Sequence, residues 1–344
     1  MTAALYFTAA HRVEVRDEAR PAPGAGQVLV RTIVSGISAG TEMLIYRGLA
    51  PAELPADEHL TALAGTLAFP LKYGYAAVGE IVEVGQGVGR EHLGRRVFAF
   101  HPHQTHFVVP LAEAFEVPAG LAPEQAVLLP NAETAVNLVH DGRPMAGEQI
   151  VVFGQGIVGL LTTALLARHA PAALVTFDRH ALRRRSSLAL GATASLEPLA
   201  PDEIERFAAS LGAESGYPGA DLTYELTGDP ATLEPALRVT GFDGRVIIGS
   251  WYGRQPARLD LGGRFHRSRI RTMSSQVSTI APDLRGRWSR TRRLRFALAF
   301  LESLRPSTLI THRIPFAEAE RAYRCLADDP SEVLQVVLTY PDEA

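Results

Sequence analysis

Three glycines that follow an apolar run predict a turn built to bind a dinucleotide. The run Gln149–Phe153 is typical of a buried strand, and Gly154, Gly156 and Gly159 follow it with the spacing G-x-G-x-x-G. Residues 157–169 then have helical spacing. The first glycine allows the tight bend, the second lets the backbone approach a pyrophosphate at the helix N-terminus, and the third lets helix and strand pack closely. A glycine-rich turn without a ligand is the alternative, which the strand-turn-helix context disfavours.

An acidic residue at the end of the next strand favours NAD over NADP. Asp178 directly follows the predicted strand 173–177, 19 residues after Gly159. A carboxylate at this place accepts hydrogen bonds from both ribose hydroxyls and repels a 2′-phosphate. Arg179 and Arg183 follow it, and because arginines here can hold a 2′-phosphate, NADP stays the less favoured alternative. Further predicted cofactor contacts are Thr134, Thr227, Gly249, Ser250 and Ser275.

The bulk composition is that of a globular protein with more than one domain. The chain has 344 residues, 47% hydrophobic and 21% charged, with a formal net charge of −3. Neither nucleic acid nor a membrane is therefore an expected partner. The single cysteine, Cys325, excludes an internal disulfide and a cysteine-based zinc site. The first residues lack the pattern of a signal peptide, so a cytoplasmic location is expected.

The order of the predicted elements indicates a β-rich region followed by an α/β region. Frequent Pro and Gly separate strand patterns in the first 125 residues, where no long helix is evident. Strands then alternate with helices over 149–249, which is the pattern of a parallel, doubly wound sheet. The predicted strands are 28–34, 77–84, 96–100, 149–153, 173–177, 221–226, 245–249 and 333–340.

The C-terminal part changes character again. Helices are predicted over 292–304 and 317–326, and the last strand, 333–340, needs a sheet to join. The N-terminal domain is the expected host, which makes that domain discontinuous. The predicted domains are 1–130 together with 277–344, and 131–276.

Four stretches, in chain order, resemble motifs of the medium-chain dehydrogenases/reductases. Residues 74–85, GYAAVGEIVEVG, resemble their G-H-E-x-x-G-x-V-x-x-V-G stretch, and residues 35–42, SGISAGTE, are similar to C-G-I-C-x-T-D. Residues 241–249 and 309–316 resemble a glycine-rich strand and a C-terminal segment of the same family. The resemblance implies an NAD(P)-dependent oxidoreductase with a GroES-like, β-rich catalytic domain and a Rossmann domain. It also implies an active site in the cleft between the two domains.

The departures from the family pattern fall on its zinc ligands. Ser38 stands where the family has a cysteine ligand, and Tyr75 stands where it has a histidine ligand. The third ligand falls near Pro130 and Asn131, neither of which is a usual zinc ligand. The lobe of four cysteines that binds structural zinc is also missing from the sequence. The resemblance therefore implies an enzyme of this family without zinc.

Three histidines and two glutamates are further polar candidates. His101, His103 and His106 could form a metal cluster, but alternation along an extended segment places His106 opposite the other two. We interpret the three as pocket-lining or surface histidines. Glu42 and Glu133 are also candidates, for which a structural salt bridge is the commoner fate.

Four side chains are candidates for the chemistry that zinc supplies in the family. Alcohol oxidation needs a base for the hydroxyl proton, and carbonyl reduction needs an acid at the developing alkoxide. Since Tyr75 and Ser38 occupy ligand positions, the resemblance implies that they face the reacting oxygen. Thr41 matches a relay hydroxyl of the family, and His101 matches a pocket-lining position. We predict Tyr75 and His101 as catalytic residues supported by Ser38 and Thr41; alternatively, Tyr75 only fills the space of the metal.

Within the family, the chain is similar to a zinc-lacking branch that includes bacteriochlorophyllide hydroxyethyl dehydrogenase. The likeness rests on residues 35–42, 265–269 and 274–276 and implies no substrate. The predicted activity is zinc-independent, NAD(P)-dependent interconversion of a small secondary alcohol and a ketone by a homodimer. The alternatives are a zinc-free quinone or enoyl reductase and a non-catalytic NAD-binding protein. Ser38 also lies in a G-x-S-x-G pattern, but too little chain precedes it for the sheet that a hydrolase serine needs.

Overall fold

The computed structural model describes residues 2–212 and 216–341. The chain divides into two compact units, each with its own sheet and core. Unit 1 comprises Met1–Pro130 and Arg295–Ala344, and unit 2 comprises Asn131–Leu294.

The helices and strands of the described residues are numbered here in chain order. The strands are β1 Thr2–Ala9, β2 Arg12–Glu18, β3 Gln27–Gly36, β4 Leu71–Lys72, β5 Ala77–Val84, β6 Arg96–Ala99, β7 His106–Pro110, β8 Phe115–Glu116, β9 Gln149–Phe153, β10 Ala173–Phe177, β11 Ala194–Leu196, β12 Ala220–Glu225, β13 Thr240–Ile248, β14 Arg271–Ser274, β15 Ile310–Pro315 and β16 Gln335–Thr339. The helices are α1 Thr41–Tyr46, α2 Pro123–Ala126, α3 Leu129–Gly142, α4 Ile157–Leu166, α5 Ala181–Ala189, α6 Pro201–Ser210, α7 Leu233–Val239, α8 Arg290–Leu304 and α9 Ala319–Asp328.

Unit 1 contains a mixed sheet that the end of the chain completes. Its strands follow the order β15-β16-β3-β5-β6-β8, with β7 also paired to β3, and a smaller sheet has the order β2-β1-β4. The last strand, β16, runs antiparallel to β3, and Leu338 lies opposite Ser35. The prediction that the last strand joins the N-terminal sheet is therefore confirmed.

A close approach of β3 and β5 fixes the segment that carries the motif at 74–85. Gly79 on β5 lies opposite Thr32 on β3, and a Cβ atom at Gly79 would come within 2.2 Å of the carbonyl oxygen of Arg31. Only glycine fits at this distance, so the strands can pair here without strain. Because β5 begins directly after residue 76, this pairing also sets where Tyr75 lies.

Packing, rather than length, holds α1 in place. The helix has six residues, too few to be stable alone, but Met43–Tyr46 are buried. The Tyr46 ring stacks on Tyr323 of α9 at 5.4 Å, and Phe7 of β1 meets the same Tyr323 ring edge-on at 5.2 Å. The segment 46–69 is anchored to this core as well, by the buried Leu63 and Leu67.

Unit 2 is built on a parallel sheet with the strand order β11-β10-β9-β12-β13-β14. All of these pairings are parallel. The order reverses direction at β9, as it does in a Rossmann fold, and ligands bind such sheets beyond the carboxyl ends of the strands at this point. The α/β fold class that the sequence predicts is therefore confirmed. In the described part of the chain, no helix combines the length and apolar character needed to cross a membrane.

The boundary between unit 2 and the C-terminal part of unit 1 lies later in the chain than the sequence predicts. The expected change of domain lies at 276–277, whereas unit 2 extends to Leu294. The cause is Arg293, whose guanidinium donates to the carbonyl oxygens of Val277 and Thr279 and so ties the segment after β14 to unit 2.

Candidate active site and cofactor site

The three glycines of the dinucleotide motif have the backbone geometry that their predicted roles require. Gly154 has φ of 92°, and a Cβ atom there would come within 2.6 Å of the carbonyl oxygen of Leu226. At Gly159 a Cβ atom would lie 2.0 Å from the carbonyl oxygen of Gly154. Gly156 precedes α4 and differs from both, because a Cβ atom there would meet no heavy atom within 4 Å. The open space beside Gly156 leaves room for a phosphate at the start of α4.

The carboxylate of Asp178 is anchored to this glycine turn. It is buried after β10 and accepts hydrogen bonds from the backbone N–H groups of Gln155 at 2.8 Å and His180 at 2.9 Å. A guanidinium nitrogen of Arg183 lies 3.7 Å from the same carboxylate. Asp178 therefore stands at the end of the strand beside the glycine turn, where the motif places the ribose-binding acid.

The arginines that follow Asp178 do not share one role. Arg184 donates to the backbone carbonyl oxygens of Asp178 and Arg179 and to the carboxylate of Glu197 at 2.6 Å, so it supports the loop. The side chain of Arg179 is 70% exposed. Arg179 and Arg183 thus remain candidates for contact with a 2′-phosphate.

The remaining predicted cofactor residues lie along the carboxyl edge of the unit 2 sheet, apart from Thr134 on α3. Thr227 follows β12, Gly249 and Ser250 follow β13, and Ser275 follows β14. Ser250 Oγ accepts a hydrogen bond from the N–H of Gly228 at 2.9 Å, which links two of these loops. The hydroxyls of Thr227 and Ser275 bond to the carboxylates of Glu225 and Asp141, respectively.

Glu133 forms a buried ion pair, as the sequence suggests, and its partner is Arg293. Arg293 is fully buried, and two of its nitrogens bond to Glu133 Oε1 at 2.9 and 3.1 Å. A third nitrogen donates to Asn137 Oδ1 at 2.5 Å. Asn137 continues the network to Ser275 Oγ at 2.9 Å. Glu133 therefore has the structural role that is the commoner fate of such a residue.

In unit 1, the structure brings three of the four predicted catalytic residues together. The Tyr75 hydroxyl donates to Ser38 Oγ at 2.6 Å, and Thr41 is a second hydrogen-bond partner of the same phenol. Ser38 lies on the turn between β3 and α1, Thr41 is the first residue of α1, and Tyr75 lies just before β5. We call these three side chains the hydroxyl cluster.

The protonation states of Tyr75 and His101 follow from burial. Burial raises the pKa of the Tyr75 phenol above its ordinary value of 10, although hydrogen bonding with Ser38 and Thr41 opposes that shift. Burial lowers the pKa of His101 to about 4, so its imidazole is neutral at neutral pH. The His101 ring stacks on Phe107 with a centroid distance of 4.3 Å. Its Nδ1 lies 3.4 Å from the carbonyl oxygen of Pro102.

The interpretation of His103 as a pocket-lining or surface histidine is wrong. His103 is fully buried, and its Nε2 lies 3.0 Å from Glu42 Oε2 while its Nδ1 lies 2.7 Å from Ser35 Oγ. His106 is also buried, on β7. Only the alternation pattern marks these histidines in the sequence, and it does not show that Glu42, 61 residues away, is a partner.

The described side chains do not form a usual zinc site at the hydroxyl cluster. Zinc sites in proteins use thiolate, imidazole or carboxylate ligands, and the cluster offers hydroxyls. The neighbouring Glu42 and His103 have their polar atoms bonded within the protein. Across residues 2–212 and 216–341, no group of three His, Cys, Asp or Glu side chains could hold a metal ion.

Curated proteins similar to this chain are dehydrogenases, although no family model matches it. The (R,R)-butanediol dehydrogenase of Bacillus subtilis (strain 168) is 27% identical over 266 residues, covering 70% of this chain and 74% of the relative. The L-threonine 3-dehydrogenase of Pyrococcus abyssi (strain GE5 / Orsay) is 25% identical over 285 residues, covering 74% of this chain and 77% of the relative.

Solved structures with the same fold are dehydrogenases too. The 2R,3R-butanediol dehydrogenase from Bacillus subtilis superposes with a TM-score of 0.80 and 20% identity, covering 99% of this chain and 100% of the other. An alcohol dehydrogenase from Escherichia coli CFT073, complexed with NADH, gives 0.78 and 20%, covering 98% and 99%. The zinc-dependent alcohol dehydrogenase 2 from Streptococcus pneumonia gives 0.79 and 23%, covering 100% of both chains.

These likenesses confirm the expected architecture, a GroES-like unit together with a Rossmann unit. The chain is an NAD(P)-dependent oxidoreductase. One of the solved structures with this fold is a zinc-dependent alcohol dehydrogenase.

Proposed function

We propose that this oxidoreductase interconverts a small secondary alcohol and its ketone without zinc. The observation that carries the proposal is the hydroxyl cluster, in which the Tyr75 phenol donates to Ser38 Oγ at 2.6 Å. The resemblance places both side chains at zinc-ligand positions, so the proposal assigns the reacting oxygen of the substrate to the same place. Membership of the zinc-lacking branch, a homodimer and a cytoplasmic location stay predictions.

The proposed cofactor contacts belong to unit 2. The nicotinamide, when bound, supplies or accepts the hydride. The open space beside Gly156 and the start of α4 would hold the pyrophosphate, and Asp178 would accept hydrogen bonds from the ribose. The loops after β12, β13 and β14 would contact the rest of the cofactor through residues 227, 249–250 and 275, and Thr134 on α3 is a further proposed contact.

In the direction of reduction, Tyr75 would deliver the proton to the developing alkoxide. Its raised pKa keeps the phenol protonated near neutral pH, so the acid is present when it is needed. The hydroxyls of Ser38 and Thr41 can donate to the phenolate oxygen that remains until a proton returns from water. Oxidation of the alcohol runs the same steps backwards.

His101 is less suited to act as that acid. With a pKa of about 4, its imidazolium is almost absent near neutral pH. The neutral ring, stacked on Phe107, can still donate or accept a hydrogen bond to a substrate. We therefore assign Tyr75 the proton transfer and His101 a binding role.

Cofactor binding is the first test, and the chain offers a matched pair of glycines for it. Titration with NADH and NADPH, followed by nicotinamide fluorescence, should show tighter binding of NADH. Gly156→Val should weaken NADH binding at least about tenfold, or about 1.4 kcal/mol, because the side chain enters the ligand's space from a position where its Cβ atom meets no protein atom within 4 Å. Gly286→Val in the same unit, which also has no neighbour within 4 Å, should leave binding unchanged.

The outcomes separate the parts of the proposal. Tighter binding of NADPH would contradict the role of Asp178, and no binding of either cofactor would contradict the whole function. A screen of secondary alcohols with NAD, and of ketones with NADH, then tests the reaction. Turnover confined to quinones or enones would favour the alternative reductase.

A further inference from the structure

A fully buried polar network lies directly behind the hydroxyl cluster. Glu42, His103 and Ser35 each have no exposed surface. Glu42 Oε2 accepts a hydrogen bond from the Tyr323 hydroxyl at 2.5 Å and lies 3.0 Å from His103 Nε2. His103 Nδ1 lies 2.7 Å from Ser35 Oγ, which in turn lies 2.8 Å from the hydroxyl of Tyr340.

Two hydrogen bonds join Glu42 to Ser38 of the hydroxyl cluster. Its Oε1 accepts the backbone N–H of Ser38 at 2.8 Å, and its own backbone N–H donates to the Ser38 carbonyl oxygen at 3.1 Å. Thr41, another member of the hydroxyl cluster, directly precedes Glu42 in the chain. The Glu42 side chain therefore anchors the backbone at Ser38, in the short segment that carries both hydroxyls.

His103 contacts both Glu42 and the segment that carries Tyr75. A Cβ atom at Gly74 would come within 2.6 Å of the His103 ring, so the backbone beside Tyr75 packs directly on the imidazole. The φ of Gly74, 115°, is a conformation that glycine adopts without strain. The backbone N–H of His103 also donates to the carbonyl oxygen of Tyr73, at 3.4 Å.

We infer that Glu42 and His103 are positioning residues, which act as one unit to set the separation between the Tyr75 phenol and Ser38 Oγ. This inference rests on the proposed function for its effect on rate, but the geometry that it predicts can be observed without turnover. A carboxylate buried with three donors is satisfied and has one orientation, which a neutral, isosteric amide does not reproduce. One of the three donors would then face the amide NH₂ group.

The test is a double-mutant cycle between Glu42→Gln and Tyr75→Phe. In the otherwise unchanged protein, Glu42→Gln should lower kcat at least about tenfold, with KM for the cofactor within about twofold. In the Tyr75→Phe background the same change should lower kcat by less than about threefold, because the interaction it disturbs is already gone. Tyr323→Phe is the matched control. It removes one donor to Glu42 but leaves the bonds of Glu42 to Ser38 and His103 in place, so kcat should stay within about threefold.

Equal losses in both backgrounds, or no loss in the first, would overturn the inference. If Glu42→Gln does not fold, His103→Gln tests the same claim, because it keeps a donor for the carboxylate but removes the ring beside Gly74. If the unchanged protein turns over no alcohol or ketone, the proposed function fails and crystal structures decide the positioning. A separation of Tyr75 and Ser38 beyond about 3.5 Å in the variant would support it, and a retained hydrogen bond would contradict it.

Discussion

Tyr75→Phe is expected to lower kcat for ketone reduction by about 100-fold or more. The change removes one donor to an oxygen that gains charge in the transition state, and the loss of one such donor costs about 10²–10³ in rate in other enzymes. KM should change little, because the hydroxyl contributes little to binding of the ground state. The ring and its packing are kept, so the melting temperature should be nearly unchanged.

A neighbouring tyrosine supplies the control for this experiment. The Tyr73 hydroxyl lies 3.4 Å from the carbonyl oxygen of Ala56, and its ring is packed edge-on to Tyr75. Tyr73→Phe should therefore keep kcat within a few-fold. A Tyr75→Phe enzyme with a near-normal kcat would show that the phenol only fills space and would transfer the proton-handling role to His101.

The pH dependence separates the two candidate acids. Because the pKa of Tyr75 is raised above 10, the phenol is protonated at all lower pH values, and this group should not reduce the rate of ketone reduction until the solution is more alkaline. If the imidazolium of His101 were the acid, the rate would fall as the pH rises through about 4. Steady-state rates measured across this range on the unchanged protein distinguish the two patterns.

Arg293→Met is expected to destabilise unit 2 by about 3–5 kcal/mol. The guanidinium is fully buried and bonded to Glu133, and its loss leaves this buried carboxylate with only the more distant Arg290, at 3.8 Å, as a cationic neighbour. Trp251 and Trp288 are the only tryptophans in the chain, and both belong to unit 2. Their fluorescence during urea unfolding therefore reports the stability of this unit.

Two controls test whether the unpaired charge causes the loss. Adding Glu133→Gln to Arg293→Met should recover part of the stability, because the uncompensated carboxylate is removed. Arg206→Met breaks an ion pair with 71% of each side chain exposed and should change the stability by less than about 1 kcal/mol. Equal losses for the single and double Arg293 variants would point to lost packing instead.

The loss in Arg293→Met should also depend on pH. Burial raises the pKa of Glu133 even with Arg293 present, and without the arginine nothing there opposes that shift as strongly. A carboxyl whose pKa is higher in the folded state than in the unfolded state favours folding when protonated. The destabilisation should therefore be greater at alkaline pH and smaller as the pH falls towards the acid range.

The fold could be predicted from the sequence because its signals are local. The run Gln149–Phe153 and the glycines after it predict a strand, a turn and the start of a helix, and these contacts all lie close together in the chain. The strand β13 begins at Thr240, five residues before the predicted start at 245, since its first part is irregular in register and has no regular apolar alternation.

The network behind the site could not be predicted in this way. Glu42 meets a histidine 61 residues away and Tyr323, 281 residues away. No spacing rule connects these positions, because tertiary packing alone brings α1, the loop before β7 and α9 together. The hydroxyl cluster could be anticipated only through the resemblance, which aligns Ser38 and Tyr75 with two ligands of one metal.

Metal content measured together with activity tests the central claim most directly. The purified protein should contain far less than one zinc per chain by elemental analysis, and its rate of alcohol oxidation with NAD should be unchanged after treatment with a chelator. About one zinc per chain, with activity that the chelator removes and added zinc restores, would contradict the account.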